Sequence, residues 1–599
     1  MKDAIRVGSA HISANLFWRG MALMVPVALL VGAHDARAQA PDVTVPDLVA
    51  LVRRPGSELR GVVERWSADF SALHRRYSVE YSPERRARLR VFHSAWLVQL
   101  RALPFEQLTR DAQVDYLLLD SRLQHELAEL DRDEQLMGEM APLVPFADTL
   151  FALLEARRQL ARPDPVQAAR RLASMQLALD AARARMADAS SRPSRVIALR
   201  ATETVADLRR QFQGWQRFYL GYDPAMTWRI SEPSKRFDAA LESWQKFLRE
   251  QIVGQKEGQD EPIVGDPIGA AGLAADLRHE MIPYTPAELI AIAEREYAYL
   301  EGEARKSSRE MGFGDNWKAA MERSKDDYAD IGLQTETVRD LAWEAIRYVE
   351  ENDLVTVPPL AREIWRMEMM PAAQQKVSPF FLGGEVIQVA SPTDGMSEAE
   401  KLMALRANNL YGSRATVQHE LIPGHHLQGF AAARSNSHRG ALTRTPFYVE
   451  GWALWWELFL WDRGFARTPQ ERMGMLFWRM HRAARIIFSL RFHLGEWTPE
   501  QAIDFLVDKV GHERASATGE VRRSFNGSYS PLYQAGYLLG GMQLRALHRE
   551  LVTSGRITDR AFHDAVLATG AMPIEMVRAV LEPSIPLSRD YTPNWRFAD

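Results

Sequence analysis

Apolar residues recur at three- and four-residue intervals along most of the chain, the spacing that places them on one face of an α-helix. Residues 111–130 carry such an apolar stripe, and the pattern continues over residues 163–189 and 203–217. Ala, Leu, Arg and Glu are common while β-branched residues are comparatively few, which also favours helix. The sequence therefore predicts a mostly α-helical fold.

Two segments instead have the composition of β-strands. Residues 353–358 (DLVTVP) form the first and residues 378–391 (SPFFLGGEVIQVAS) the second, in which Gly383 and Gly384 are placed to turn a short hairpin. Both precede a histidine-rich segment, so we expect a small β element beside it. An extended peptide could pair with these strands at residues 380–389.

The chain divides at a segment rich in Gly, Pro and acidic residues, residues 254–272. We predict an N-terminal helical region over residues 41–260 and a catalytic region over residues 261–599. Residues 1–40 read as a signal peptide, because a basic leader precedes a short apolar run and small residues at cleavage spacing. We expect a periplasmic or secreted protein with no membrane anchor after cleavage.

Composition excludes several kinds of site. The chain has 599 residues and no cysteine, so disulfides, a cysteine nucleophile and thiolate zinc sites are ruled out. The formal charge is −4, and loss of the leader, with two net positive charges, would make it −6. This mild charge predicts binding neither to nucleic acid nor to an anionic membrane.

The candidate chemistry is concentrated in residues 418–428, QHELIPGHHLQ. Burying this many polar groups in an apolar, helix-prone segment is costly unless a ligand binds them, and a divalent metal is the usual ligand. Without cysteine, any zinc must be held by histidine and carboxylate. The polar residues are His419, Glu420, His425 and His426.

The zinc-binding pattern HExxH is absent, because Pro423 stands four residues after His419. In a straight helix a residue at i+6 points about 120° away, and one at i+7 lies about 10 Å along the axis. Pro423 and Gly424 provide the means for a helical bulge, which would return His425 to the ligand position. His426 would then face the pocket wall or the substrate, and it stays the alternative second ligand.

A third ligand is expected from a neighbouring helix. Residues 447–453 (FYVEGWA) place Glu450 at a helix start, and Glu457 follows two turns later. Glu450 is the candidate ligand, while Glu457 is the natural acceptor for the second nitrogen of a ligand imidazole. Glu420 directly follows His419, the position from which a carboxylate reaches metal-bound water.

These motifs resemble the signature HExxPGHH followed by EGWA of a widespread bacterial family catalogued as a domain of unknown function. That resemblance covers about residues 45–590. The family is similar, more distantly, to helical gluzincin peptidases such as thimet oligopeptidase and Taq carboxypeptidase. Their HExGH ends in a Gly-His that matches Gly424 and His425 after a two-residue insertion. Their ligand-bearing VE, with a Glu seven residues on, matches Val449, Glu450 and Glu457.

The resemblance implies a helical fold with a cleft between two halves, and a Zn²⁺ ion held by His419, His425 and Glu450. Glu420 would act as general base. The paired tyrosines of those peptidases match Tyr533 and Tyr537, and Tyr537 would stabilise the oxyanion with His493 or Tyr533. Ser489 departs from the Asp expected before His493. Arg523 is a candidate for binding a substrate carboxylate.

The expected function is a secreted zinc peptidase acting on short peptides. A zinc amidase acting on non-peptide or cell-wall amides is one alternative. A metal-binding scaffold with a catalytically dead site is another, since the N-terminal half resembles a helical solenoid.

Overall fold

Many helices begin at a residue whose side chain caps the first turn. In three helices the cap side chain accepts a hydrogen bond from the backbone N–H three residues further on. The glutamate at that position in turn accepts a hydrogen bond from the cap residue's own N–H. The cap residues are Thr285, Ser397 and Thr468. This reciprocal capping pairs amide groups that a helix start otherwise leaves unsatisfied. The sequence marks two of these starts by itself, since Thr-Pro-Ala-Glu at 285–288 and Ser-Glu-Ala-Glu at 397–400 have the residue types and spacing of such a cap.

A computed structural model describes residues 46–53, 56–256, 262–375, 380–527 and 529–598. Short 3₁₀ turns at Phe105–Gln107, Ala141–Leu143 and Ala189–Ser191 connect helices of the first half, and a π-helical turn, Leu248–Val253, extends the last of them. These helices are Leu48–Arg53 (α1), Arg60–Arg76 (α2), Pro83–Arg101 (α3), Arg110–Met140 (α4), Ala147–Arg158 (α5), Pro165–Ala187 (α6), Arg195–Tyr219 (α7) and Pro224–Phe247 (α8). The apolar faces of α5 to α8 form one core with the end of α4.

The second half is equally helical. A 3₁₀ turn lies at Ser437–Ala441 and π-helical turns lie at Leu506–Val510 and Arg549–Thr553. The α-helices are Gly269–His279 (α9), Pro286–Glu310 (α10), Trp317–Lys325 (α11), Gln334–Glu351 (α12), Pro359–Ile364 (α13), Ala372–Gln375 (α14), Glu398–Ala407 (α15), Leu410–Glu420 (α16), His425–Ala432 (α17), Pro446–Asp462 (α18), Pro469–His493 (α19), Pro499–Phe505 (α20), Arg514–Phe525 (α21), Tyr533–His548 (α22), Asp559–Ala568 (α23) and Ile574–Leu581 (α24). The mostly α-helical fold is confirmed.

Two strands form the small sheet. Arg366–Met369 (β1) pairs in parallel with Val386–Val389 (β2). Apolar residues of β2 join a cluster with Val417 of α16, so the sheet lies beside that helix as expected. The predicted strand at 378–391 is found only in its second half, its first two residues lying outside the described ones. The hairpin at Gly383 and Gly384 is reduced to one antiparallel bridge between residues 382 and 388.

The strand predicted at residues 353–358 is wrong. Leu354 and Val355 are buried in the main apolar core. The Leu354 N–H donates to Val349 O at 3.0 Å, which closes the end of α12. Asp353 has a positive φ of 51°, a value that β-strands do not adopt. The apolar pair therefore seals a helix end rather than pairing in a sheet.

Helix α18 lies at the centre of the main core because it is apolar on every side. Its sequence, PFYVEGWALWWELFLWD, buries residues all round the helix, including Trp452, Trp455 and Trp456. A helix without a polar face must be covered by other elements. This position carries the carboxylates of Glu450 and Glu457 into the interior.

Glycines let α18 and α22 pack with almost no side chain between them. A Cβ at Gly540 would lie 2.0 Å from Phe447 O, and one at Gly451 would lie 2.6 Å from the Gly540 Cα. A Cβ at Gly536 would lie 2.7 Å from Pro446. This seam brings the first turns of α22 alongside the first turns of α18.

The predicted signal peptide at 1–40 lies outside the described residues. In the described part of the chain, no single helix has the length and apolar composition to cross a membrane. One bent pair, Arg110–Leu143 with Ala147–Arg158, meets that test together. The division into regions at residue 260 stays a prediction.

Gly540→Ala should lower the free energy of unfolding by about 1–3 kcal/mol, because the added methyl has no room in the seam. Gly138→Ala is the matched control, since Gly138 is exposed within α4 with nothing within 4 Å of an added Cβ. It should stabilise by about 0.5–1 kcal/mol. Urea unfolding measures the free energy of unfolding of both variants. Equal changes in the two would contradict the close packing of α18 on α22.

Candidate metal centre

The histidine-rich segment is divided between two helices. α16 ends and α17 begins with four residues between them, among them Pro423, which has no N–H to continue the helix. The Gly424 N–H donates to Gln418 O at 3.0 Å, and a Cβ at Gly424 would lie 1.8 Å from His419 O. The expected distortion is present, but it is a break between two helices, whereas a bulge within one helix was expected.

Three candidate ligands converge across this break. Glu450 Oε2 lies 3.2 Å from His425 Nε2 and 3.5 Å from His419 Nε2. The two imidazole rings are almost perpendicular, with 4.8 Å between their centroids. One ligand atom from each residue lies within 4.8 Å of the others. Two imidazoles and one carboxylate are a donor set that catalytic zinc sites use.

Further hydrogen bonds orient these side chains. His419 Nδ1 donates to Glu457 Oε1 at 2.8 Å. The Tyr533 hydroxyl donates to Glu450 Oε1. Both bonds use the outer atoms, so His419 Nε2 and Glu450 Oε2 stay turned toward His425. Partners of this kind fix the tautomer and ring orientation of metal-binding residues.

Charge attraction holds the group together. Burial alone would lower the pKa of His419, but its hydrogen bonds to Glu450 and Glu457 raise that pKa to about 9. Burial alone would raise the pKa of Glu450, but the imidazoles of His425 and His419 hold it well below its usual range. The centre thus favours charged carboxylates facing cationic partners, and a metal ion bound there would replace the proton on His419, because a ligand imidazole is neutral.

Glu420 lies beside the candidate ligands, with its pKa raised by burial. The backbone at Gly383 packs directly on it, because a Cβ there would lie 2.3 Å from Glu420 Oε2. The Gly384 N–H donates to Glu420 O at 3.2 Å. A buried carboxylate of raised pKa is suited to accept and return a proton.

A cavity of about 290 Å³ opens next to these residues. His419, Glu420, His425 and Glu450 line it together with the loop at residues 380–383. Most of the remaining wall is aromatic or basic: Trp478, Arg482, Arg485, Arg523, Tyr529, Tyr533 and Tyr537.

Two arginines of this wall, and one glutamate that lies behind it, were not expected from the sequence. Arg482 and Arg485 come from α19, and the fully buried Glu520 lies 2.7 Å from Arg485 Nε and 2.8 Å from Arg523 Nε. The signal was present in HRAARIIF, where arginines three residues apart interrupt an apolar helix. Arginines are rarely buried unless they are paired.

Two expected site residues are elsewhere. His426 Nε2 hydrogen-bonds to Ala361 O at 2.6 Å, so it joins α17 to α13 and does not line the cavity. His493 is the last residue of α19, about 12 Å along the helix from Arg485. It is buried beside Phe525. Neither the substrate contact expected of His426 nor the oxyanion contact expected of His493 fits these positions.

A second group of ligand types, His125, Glu129 and Asp276, also has its atoms within 4.8 Å of one another. All three side chains are partly exposed. Arg132 Nη1 already lies 2.8 Å from Glu129 Oε1. Because a guanidinium competes for that carboxylate, the buried centre at α16 to α18 is the stronger candidate.

Comparison with known proteins identifies one family and several solved structures of similar fold. The profile described as "Bacterial protein of unknown function (DUF885)" matches residues 69–581. No curated protein matches the chain. A lipoprotein candidate of unknown function from Shewanella oneidensis has 18% identity and a TM-score of 0.64, covering 87% of this chain and 98% of its own. A lipoprotein candidate from Colwellia psychrerythraea has 15% identity and a TM-score of 0.56, covering 87% and 97%. At these identities the likeness shows the fold alone.

Glu520→Gln should reduce the free energy of unfolding by about 3 kcal/mol at pH 7. Burial opposes ionisation, but Arg485 and Arg523 hold the pKa of Glu520 at about 2, below its ordinary 4.5. A depressed carboxyl pKa stabilises the fold above pH 4.5, and this stabilisation is lost as the pH falls toward 2.

Urea unfolding of wild type and variant should therefore differ most near pH 7 and converge below pH 4.5. The control is Glu496→Gln, which removes an exposed carboxylate paired with Arg491 and should change stability by less than about 1 kcal/mol. A difference for Glu520→Gln that is constant with pH would contradict the ion pairing.

Proposed function

This chain belongs to the bacterial DUF885 family, and we propose that it is a zinc-dependent peptidase acting on short peptides. The observation that carries the proposal is the convergence of His419, His425 and Glu450, with Glu420 beside them at a cavity wall. Because the family is one of unknown function, the support comes from these side chains.

The donor set fits zinc. Two imidazole nitrogens and a carboxylate oxygen meet at one point, and Glu457 and Tyr533 orient two of the three ligands from behind. Three protein ligands leave a coordination position for water or substrate. Zinc bound there would lower the pKa of water and polarise the substrate carbonyl.

Glu420 is the proposed general base. It would take a proton from the attacking water and deliver it to the leaving nitrogen as the C–N bond breaks. The water oxygen ends on the carbonyl carbon, so one water is consumed for each bond cleaved. The raised pKa of Glu420 supports this role, because it makes the carboxylate a stronger base than an exposed glutamate.

Tyr537 is the proposed donor to the oxyanion that develops on the carbonyl. It lines the cavity, and burial raises its pKa, so the hydroxyl keeps its proton. Tyr533 is already hydrogen-bonded to Glu450. We therefore assign Tyr533 to positioning that ligand and Tyr537 to the oxyanion.

The proposal includes a gluzincin-like arrangement, in which α16 and α17 supply the two histidines, α18 supplies the glutamate, and a cleft between helical halves admits the peptide. Export to the periplasm or the outside is also proposed. It is supported by the signal-like sequence of residues 1–40 and by the description of the Shewanella and Colwellia relatives as lipoprotein candidates.

His425→Ala should weaken zinc binding by more than about 100-fold. Removing a residue that only hydrogen-bonds to a ligand costs up to about 100-fold, and removing the ligand itself should cost more. His426→Ala is the matched control, because His426 bonds to Ala361 O and is absent from the ligand group. Elemental analysis after dialysis should find about one zinc per chain in His426→Ala and little in His425→Ala. The reverse result would replace His425 by His426 as the ligand.

Glu420→Gln should lower turnover of a mixed pool of short peptides by about 100- to 10,000-fold while keeping its zinc. A chelator should abolish wild-type activity and added zinc should restore it. Unchanged activity in Glu420→Gln would contradict the mechanism. Zinc binding by wild type without hydrolysis would favour a binding protein, and hydrolysis of modified amides alone would favour an amidase.

A further inference from the structure

Three buried arginines, Arg482, Arg485 and Arg523, line the cavity beside the candidate metal centre. Glu520 neutralises part of this charge: its Oε1 lies 2.7 Å from Arg485 Nε and its Oε2 lies 2.8 Å from Arg523 Nε. Both oxygens of Glu520 therefore face a guanidinium, Oε1 in a hydrogen bond from Arg485 and Oε2 in an ion pair with Arg523 that is not aligned as a hydrogen bond. Arg482 has no share in that pairing.

The Arg482 side chain makes no hydrogen bond within the described part of the chain, and its Nε is buried without a partner. Its ion pair with Glu457 Oε1 is long, at 3.7 Å, and that oxygen already accepts a hydrogen bond from His419. The rings of Trp478 and Tyr537 hold the guanidinium in place, with centroids 5.0 and 4.5 Å away. A buried cation so short of acceptors is costly unless a ligand supplies them.

Arg485 offers a further open donor nearby. Its Nη1 is buried without a partner, and its guanidinium carbon lies 4.4 Å from the centre of the Tyr537 ring. Arg482 and Arg485 are three residues apart on α19, so they occupy the same helix face. Two guanidiniums with unused donors thus flank the proposed oxyanion tyrosine.

The summed charge of the site also favours binding of an anionic substrate group. Three guanidiniums and the carboxylates of Glu420 and Glu450 line the cavity. Two further carboxylates lie behind it, Glu457 paired with His419 and Glu520 paired with Arg485. These groups sum to one net negative charge. A divalent ion held by neutral imidazoles would change the sum to one net positive charge. A single carboxylate on the substrate would balance it, which matters because buried net charge is costly.

We propose that Arg482, assisted by Arg485, binds the free C-terminal carboxylate of a peptide, so that the protein removes residues from the carboxyl end. This rests on the proposed peptidase function and specifies its substrate class. Arginine pairs with carboxylates through two parallel hydrogen bonds. A cavity of about 290 Å³ is small for a ligand site and suits the end of a peptide. Arg523, expected from the sequence to bind a carboxylate, serves Glu520 instead.

The test compares matched pools of N-acetylated peptides that end in a free acid or in an amide, using zinc-loaded protein. We expect kcat/KM for the acids to be about 10- to 100-fold higher, the effect of one buried hydrogen-bonded charge. Equal cleavage of acids and amides would overturn this proposal and leave the peptidase intact. Amide-ended peptides that contain an internal glutamate give a further test. If they are cleaved as well as the free acids, the proposal is overturned, because Arg482 would then bind a substrate side chain.

Binding gives a second readout that does not depend on turnover. Zinc-loaded Glu420→Gln should bind N-acetyl-dialanine more tightly than its amide, as measured by calorimetry. Failure to cleave either pool would count against the peptidase, whereas equal binding of acid and amide would count against the carboxylate site.

Arg482→Gln should bring the acid-to-amide ratio close to one, mainly through a higher KM for the acids. Arg491→Gln is the control, because Arg491 lies on the same helix and does not line the cavity. It should keep the wild-type ratio. If Arg482→Gln does not fold by circular dichroism, Arg482→Lys replaces it, retaining the charge but losing the paired donors. A wild-type ratio in the folded variant would overturn the proposal.

Discussion

The attraction between buried imidazoles and buried carboxylates is the interaction on which the site depends. His419 lies between Glu450 and Glu457, and Glu450 also faces His425. Each of these groups would be costly to bury alone, and each is tolerated because an opposite charge lies within hydrogen-bonding or ion-pair distance. A divalent cation at the same point would satisfy the carboxylate and the imidazole nitrogens together, so the resting arrangement and the proposed zinc centre rest on the same electrostatics.

Close backbone approaches make that arrangement possible. Gly424 lets the chain fold back against His419, Gly383 lets a loop lie on Glu420, and Gly540 lets α22 pack against α18. At each position a side chain would occupy space that the neighbouring backbone fills. The apolar surface of α18 drives the packing, and the glycines determine how near the reactive groups come. The geometry of this site thus depends on where side chains are missing as well as on where they are present.

Local patterns in the sequence predict much of the helical fold and the main residues of the candidate site. Helix starts such as that at Thr285 depend on neighbouring residues, and the distortion after His419 depends on the adjoining Pro423 and Gly424. The place of Arg482 could not be read in the same way, because it follows from packing between α19 and α22, helices distant in the sequence. The strand expected at 353–358 failed for a related reason, since short apolar runs serve helix ends and strands alike.

The central claim is that His419, His425 and Glu450 form one metal centre. The most direct measurement is anomalous diffraction at the zinc absorption edge from crystals of the zinc-loaded protein. The account predicts one strong peak bounded by these three side chains, with His426 still bonded to Ala361. A zinc peak ligated by His426, or none among the three residues in fully loaded protein, would contradict it.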